Sequence, residues 1–257
     1  MHRDARRWLL ASALLGFGQQ LFVVLRNPFV HDLGFPLWLL GWLQGVGAVM
    51  GVLAGMAGLW LSSRVSSAWM LRAGALANAA GFVTQVTATH PWQFILGAAL
   101  AGVGIQLLTM SSGPFLARRV TARDRVRVYG LQVIAIQTLP GLLGAVLGGE
   151  LQRIVAADRE SSLDGYRVAL ASGAASVALS LLPLRGLAAE EPAGREGGAL
   201  HAKELRRFVG YLVPDVLLQF GAGLAVPFLQ VYLHVMLNAP THHVGRYFGA
   251  MMLAGTL

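Results

Sequence analysis

The feature that most constrains the fold of this chain is a succession of long apolar segments separated by charged connections. A transmembrane helix needs about 20 mostly apolar residues. Such segments lie at about 8–29, 37–61, 69–88, 92–114, 129–152, 166–184 and 208–236, and an eighth begins near 244. Only 12% of the residues are charged, whereas soluble domains carry about 25%. The sequence therefore predicts an all-α, polytopic membrane helix bundle.

Most of the basic residues fall on one side of these segments. Fifteen of the twenty Lys and Arg residues lie at the N-terminus or in the connections after the second, fourth and sixth segments. Because Lys and Arg are enriched in cytoplasmic loops, we expect the N-terminus in the cytoplasm. A formal net charge of +8 could suit nucleic acid, but these residues are spread over membrane-flanking loops. We therefore expect the lipid bilayer, and no nucleic acid, as a partner.

A repeat divides the chain into two related parts. Three glycines of the second segment, Gly41, Gly45 and Gly51, recur 204 residues later as Gly245, Gly249 and Gly255. Such internal repeats are typical of transporters built from similar halves. The prediction is a six-helix half at 1–184, a charged cytoplasmic linker at 185–207, and an incomplete second half at 208–257. That last part would hold a seventh helix and the beginning of an eighth.

Several local patterns are similar to those of one transporter family. The seventh segment contains a glycine-then-proline pattern from Phe220 to Tyr232, and the first connection reads Arg26-Asn-Pro-Phe-Val-His-Asp-Leu-Gly34. With six helices, a charged linker and a second similar set, the chain resembles the major facilitator superfamily of secondary transporters. The resemblance implies an inner-membrane permease whose two halves rock around a central site and so move a small solute by alternating access. A proton as coupling ion is left open.

Two glycine motifs add to the resemblance, although each departs from the family pattern. After the second segment the chain keeps Gly58 and Arg64 but has Ser62 (or Ser63) where the family carries an acidic gating residue. A neutral serine would hold a gate more weakly, because charge-assisted hydrogen bonds are roughly twice as strong as neutral ones. In the fifth segment Gly144, Gly148 and Gly149 resemble the end of an antiporter motif, with Ala145 in place of its proline. This pattern favours efflux over uptake.

Polar side chains inside a membrane are costly and usually face a bundle interior or a water-filled cavity. The predicted substrate-cavity residues are Gln19, Arg26, Gln106, Asp215 and Gln219, on the helices that line the cavity if the resemblance holds. Interhelical hydrogen bonding is the alternative for the glutamines. Arg26 could instead extend its charge to the interface. Asp215 is a candidate proton carrier, unless it lies close to cytoplasmic water.

Other function classes find little support in the sequence. The chain has no cysteine, no Walker motif, and no Ser/His/Asp set where water and substrate could meet, so we expect neither an enzyme nor a bound cofactor. His234, His242 and His243 are irregularly spaced and are predicted to be loop histidines, not metal ligands. The competing hypothesis is a truncated membrane protein that does not transport, or a half that needs a separately encoded remainder.

Overall fold

The computed structural model describes residues 3–121, 123–159, 161–188, 214, 217–218, 221, 225 and 228–254. The helices are α1 Arg3–Asp32, α2 Trp38–Ser62, α3 Ser67–Val86, α4 Pro91–Arg119, α5 Arg125–Val133, α6 Leu139–Arg159, α7 Ser162–Leu179, α8 Leu181–Arg185 and α9 Thr241–Ala254, with π-helical turns at Ile134–Thr138 and Tyr232–Met236. This part of the chain contains no strand. The all-α bundle predicted from the sequence is confirmed.

The helix ends follow local sequence signals. Gly34 has a φ of +81°, a left-handed conformation that glycine adopts without steric cost, and it turns the chain after α1. The side chain of Ser66 accepts a hydrogen bond from the Trp69 amide at 3.3 Å and so caps α3. At the start of α4, the Gln93 side chain accepts from the His90 amide at 3.0 Å, just ahead of Pro91. The structure extends several predicted segments by a few residues at one or both ends.

Among the described residues, five helices are long and apolar enough to cross a membrane, namely Arg3–Asp32, Trp38–Ser62, Pro91–Arg119, Arg125–Asp158 and Ser162–Arg185. The third predicted span, α3, is not among them, because it carries Arg72, Asn78 and Gln85. Asn78 and Gln85 are buried, on the side of α3 that packs against α4. Asn78 and Gln85 therefore lie inside the bundle.

Glycines set the close packing of α3 against α4. A Cβ added to Gly81 would lie 2.6 Å from the Gly97 carbonyl oxygen, and one added to Gly104 would lie 2.6 Å from that of Gly74. Each helix thus presents bare backbone to the other. Small residues allow such close approach in membranes, where packing replaces the hydrophobic effect as the driving force.

The fifth predicted span is one continuous helical stretch with a local widening. The π-helical turn Ile134–Thr138 joins α5 to α6 directly before Pro140. Proline lacks an amide hydrogen and clashes with the preceding turn of a helix, and a π-turn accommodates that defect. Gly16 of α1 packs against the carbonyl of Ile136 in this turn, so α1 approaches where the helix is widened.

Three arginines bind main-chain carbonyls in the last turn of α8 and just after it. Arg72 donates from Nε to the Leu184 carbonyl at 2.9 Å, Arg119 donates to Ala188 at 2.9 Å, and Arg7 donates to Gly186. The N-terminal end of α1, the end of α4 and the exit from α8 therefore lie on one side of the bundle. The predicted linker begins here, and its residues 189–207 lie outside the described ranges.

Candidate functional site

A cavity of about 600 Å³ lies between α1, α2 and α4. Phe82 of α3 and Gln230, in the helical residues before the second π-turn, complete its wall. The residues that line it are Gln19, Gln20, Phe22, Val23, Arg26, Leu43, Gln44, Gly47, Ala48, Gly51, Val52, Phe82, Ala98, Ala101, Gly102, Ile105, Gln106 and Gln230. The volume is in the range of small-molecule sites, and such sites combine apolar walls with a few polar groups.

Three of the five predicted substrate-cavity residues line this one space. Gln19 and Arg26 reach it from α1, and Gln106 reaches it from α4. The other two, Asp215 and Gln219, lie outside the described residues. Gln19 and Arg26 are seven residues apart, so the polar lining extends about 10 Å along the axis of α1.

A chain of hydrogen bonds connects the guanidinium of Arg26 to the segment before the second π-turn. Arg26 Nε donates to Asn27 Oδ1 at 3.2 Å, and Asn27 Nδ2 donates to Gln230 Oε1 at 3.2 Å. Asn27 and Gln230 are almost fully buried. These two hydrogen bonds fix one orientation of each amide group. The bond between Asn27 and Gln230 links α1 to a segment 203 residues later in the sequence.

The glycines of α2 make room for the polar side chain on α4. A Cβ at Gly55 would lie 3.1 Å from Gln106 Nε2, so the glutamine amide lies across the bare surface of α2. The two helices come closest where Gly102 meets the backbone of Gly47. The close approach of α4 to the glycines of α2 thus forms one wall of the cavity.

A second pocket of about 270 Å³ lies toward the basic side of the bundle. It shares Gln19 and Ile105 with the larger cavity and adds Thr109, Ser112 and Tyr129. The Tyr129 hydroxyl donates to the Gly113 carbonyl at 2.9 Å. Polar groups therefore continue from Arg26 past Gln19 toward the end of the bundle where the arginines cluster.

The predicted gating residues lie near the end of α2 and in the turn that follows it. Gly58 packs directly against the sulfur of Met110 in α4, and the Arg64 guanidinium lies 3.7 Å from the centre of the Trp60 ring. Ser62 and Ser63 donate to carbonyls of their own helix, at 2.8 and 2.9 Å. At the position where the family carries a gating acid, the hydroxyl groups of these serines instead bond main-chain carbonyls in the last turns of α2.

The three predicted glycines of the fifth span point to two different neighbours. A Cβ at Gly144 would lie 2.8 Å from the Phe17 carbonyl oxygen, and Gly148 packs on Leu21, so both meet α1. Gly149 instead meets α9, with a Cβ 2.8 Å from the Cα of His242. Gly245 of α9 packs on the carbonyl of Ala145. The motif therefore contacts α1 on one side and, on the other, α9, which belongs to the predicted second half.

Polar contacts also join the C-terminal end of α1 to this second part. Asp32 accepts from His31 Nδ1 at 3.1 Å and lies 3.4 Å from His234 Nε2. The hydroxyl of Tyr166 lies 2.8 Å from that of Thr241. His234 lies in the second π-turn and His242 in the first turn of α9, so these histidines are in helical turns and not in a loop. No group of three or more His, Cys, Asp or Glu in the described ranges could hold a metal ion.

Sequence reasoning did not place Gln44 or Gln230 at the site. Gln44, Gly47 and Gly51 all line the cavity and stand at i, i+3 and i+7 on α2, a spacing that puts them on one face. That spacing was available in the sequence and would have found Gln44. Gln230 is distant from α1 along the chain, so only the tertiary structure brings it to Asn27.

Comparison with known proteins agrees with this architecture. No protein-family model matches the chain. A multidrug resistance protein MdtH of Shigella boydii is 25% identical over 224 residues, which cover 85% of this chain and 52% of that protein. MdtH of Cronobacter sakazakii is 26% identical over 131 residues, covering 51% of this chain and 32% of that protein. The chain thus spans about a third to a half of the length of these curated relatives.

Solved transporters share the fold. The crystal structure of a D-xylose–proton symporter superposes with a TM-score of 0.68 at 19% identity, over all of this chain and 67% of that one. An inward-facing bacterial homologue of the human lysosomal transporter Spinster gives 0.70 at 13% identity, over 97% of this chain and 59% of that one. The resemblance to the major facilitator superfamily is confirmed at the level of the fold, and the chain is a multi-pass membrane protein.

Proposed function

We propose that this chain is a secondary transporter of the major facilitator type that moves a small solute by alternating access. The observation that carries the proposal is the cavity of about 600 Å³ between α1, α2 and α4. It combines a charged and several amide side chains with apolar walls, and it gathers Gln19, Arg26 and Gln106 from distant parts of the sequence. Buried polar groups at one point of an apolar bundle are expected at a solute site.

The proposal also covers how the chain is divided into halves and how it is oriented in the membrane. We propose a first six-helix half at 1–184, a cytoplasmic linker at 185–207, and a second half that begins at 208. The side where Arg7, Arg72 and Arg119 bind the residues after α8 would face the cytoplasm of a bacterial inner membrane. The seam between Gly149 and α9 would be a contact between the two halves. Efflux is the proposed direction, because curated relatives are named multidrug resistance proteins.

The absence of cysteine from the sequence allows a direct test of alternating access. Gln106→Cys places one thiol in the cavity, and Thr84→Cys is a control on α3, where the native hydroxyl bonds its own helix at Ala80. A membrane-impermeant thiol reagent is applied to right-side-out and to everted vesicles, with and without a pH gradient. We expect the gradient to raise the labelling rate of Gln106→Cys from one side and lower it from the other, with Thr84→Cys unaffected.

Equal labelling of Gln106→Cys from both sides, or from one side under every condition, would contradict proton-driven alternating access and favour a membrane protein that does not transport. The proton enters this test as the coupling ion, a role supported by the predicted position of Asp215 within the seventh span. In vesicles driven by a pH gradient, Asp215→Asn should abolish the change in labelling, whereas Asp158→Asn, in the last turn of α6, should preserve it. An unchanged response in Asp215→Asn would remove that residue from the role.

A further inference from the structure

The charges that line the cavity are unbalanced. Among the described residues Arg26 is its cation, and no Asp or Glu lines it. The two described carboxylates of α1 are engaged elsewhere: Asp32 by His31 and His234, and Asp4 by Arg7 and Arg119 at the opposite end of the helix. A charge inside a membrane is costly unless a partner compensates it.

The guanidinium of Arg26 is held by one edge. Its Nε donates to Asn27 Oδ1, and Asn27 is in turn fixed by Gln230. No other hydrogen bond of Arg26 occurs within the described part of the chain. The guanidinium has five N–H donors in a planar fork, and this fork matches the two oxygens of a carboxylate. Its terminal nitrogens are thus available to an anionic group in the cavity.

The remaining walls suit an apolar body attached to that anionic group. Phe22 and Phe82 stack with their ring centres 3.8 Å apart, and Val23, Val52 and Ile105 extend the apolar surface. Gln106 and Gln19 lie farther along the cavity and offer neutral donors and acceptors.

From this arrangement we propose that the cavity binds organic monoanions, with the carboxylate on Arg26 and an aromatic or aliphatic body against Phe22 and Phe82. The inference rests on the proposed function, because it names the substrate class of the same cavity. It also sets a selectivity, since a cavity with one fixed positive charge and no described carboxylate disfavours organic cations of the same size.

Three ligands of one shape test the charge preference: radiolabelled 2-naphthoate, 2-naphthamide and 2-naphthylmethylammonium. Binding is measured on the purified full chain in nanodiscs by scintillation proximity. We expect naphthoate to bind roughly ten- to a hundredfold more tightly than the amide, the range for a hydrogen bond to a charged group, and the ammonium to bind most weakly.

Variants assign that preference to a residue. Arg26→Gln should lower naphthoate affinity to that of the amide while amide affinity is retained, which also shows that the variant is folded. Arg26→Lys should keep part of the preference. Arg167→Gln removes an exposed arginine from α7 and should change nothing.

The inference is overturned if the ammonium binds as tightly as naphthoate, if Arg26→Gln leaves naphthoate affinity unchanged, or if no ligand binds. These outcomes are separate from failure of the transport proposal, because the thiol-labelling response to a pH gradient does not depend on which solute the cavity accepts. If the labelling of Gln106→Cys responds to the gradient in a side-dependent way but the ammonium binds most tightly, the transport proposal stands and the proposal of an anionic substrate is rejected.

Discussion

The glycine seam between α3 and α4 makes a quantitative prediction for Gly104→Ala. The added Cβ would lie 2.5 Å from the Asn78 amide nitrogen and 2.6 Å from the Gly74 carbonyl oxygen. Both are main-chain atoms, so no rotamer change relieves the contact, and the two helices must separate by roughly 1 Å along a tightly packed face. Overpacking of this kind costs about 1–3 kcal/mol.

Gly45→Ala is the matched control on α2. Its Cβ would meet no described atom within 4 Å. Both substitutions replace a helical glycine by alanine and therefore share the same gain in helix propensity, about 1 kcal/mol. The difference between the two variants isolates the steric cost at the seam.

The assay is thermal unfolding of the two purified variants in one detergent, followed by tryptophan fluorescence. A loss of 1 kcal/mol lowers the midpoint by about 2–4 °C in chains of 150–250 residues. Gly104→Ala should therefore unfold roughly 2–12 °C below Gly45→Ala. Equal midpoints would contradict this prediction, because they would mean that α3 and α4 are not in backbone contact at Gly104.

Three further predictions concern the ends of the bundle. Tyr166→Phe leaves the buried hydroxyl of Thr241 without its partner and should lower the free energy of unfolding by about 1–3 kcal/mol. Adding Thr241→Val should recover part of the loss in unfolding midpoint, and a further loss would contradict the pairing. Asp4→Asn breaks a buried ion pair with Arg119 and should lower the midpoint by more than any exposed Asp→Asn change, with a smaller loss when Arg119→Gln is added. A reporter fused after Arg195 should read as cytoplasmic, and an external signal there would reverse the proposed topology.

The fold was predictable because its signals are local or periodic. Apolar segments of span length and the basic connections between them were enough to predict the helix bundle. The exact extent of the fifth span was less accessible, since the π-turn before Pro140 depends on how α1 packs against the widened helix. A hydropathy criterion alone leaves out α3, because it counts Asn78 and Gln85 as polar without including the neighbouring helices that bury them.

The candidate site was predictable in part. Gln19, Arg26 and Gln106 could be proposed because polar groups are rare in apolar segments, and the structure brings all three to one cavity. What the sequence could not supply is the contact between Asn27 and Gln230. Residues 203 positions apart meet through the packing of several helices, and no local pattern encodes that register.

The seam between α6 and α9 has a consequence for the hydrogen bond between Asn27 and Gln230. Backbone contact at Gly149 and Gly245 allows no closer approach, and separation of the two helices would open an unfilled gap, so rotation is the relative motion that keeps them packed. Neighbouring helices lie about 10 Å apart, and a turn of roughly 15° acting over that lever arm displaces an atom by about 2.6 Å. A bond of 3.2 Å does not survive such a displacement. If the halves rock about this seam, the Asn27–Gln230 bond is formed in one of the two conformations of the transport cycle and broken in the other. An infrared or NMR signature of either amide would then report which conformation the protein occupies.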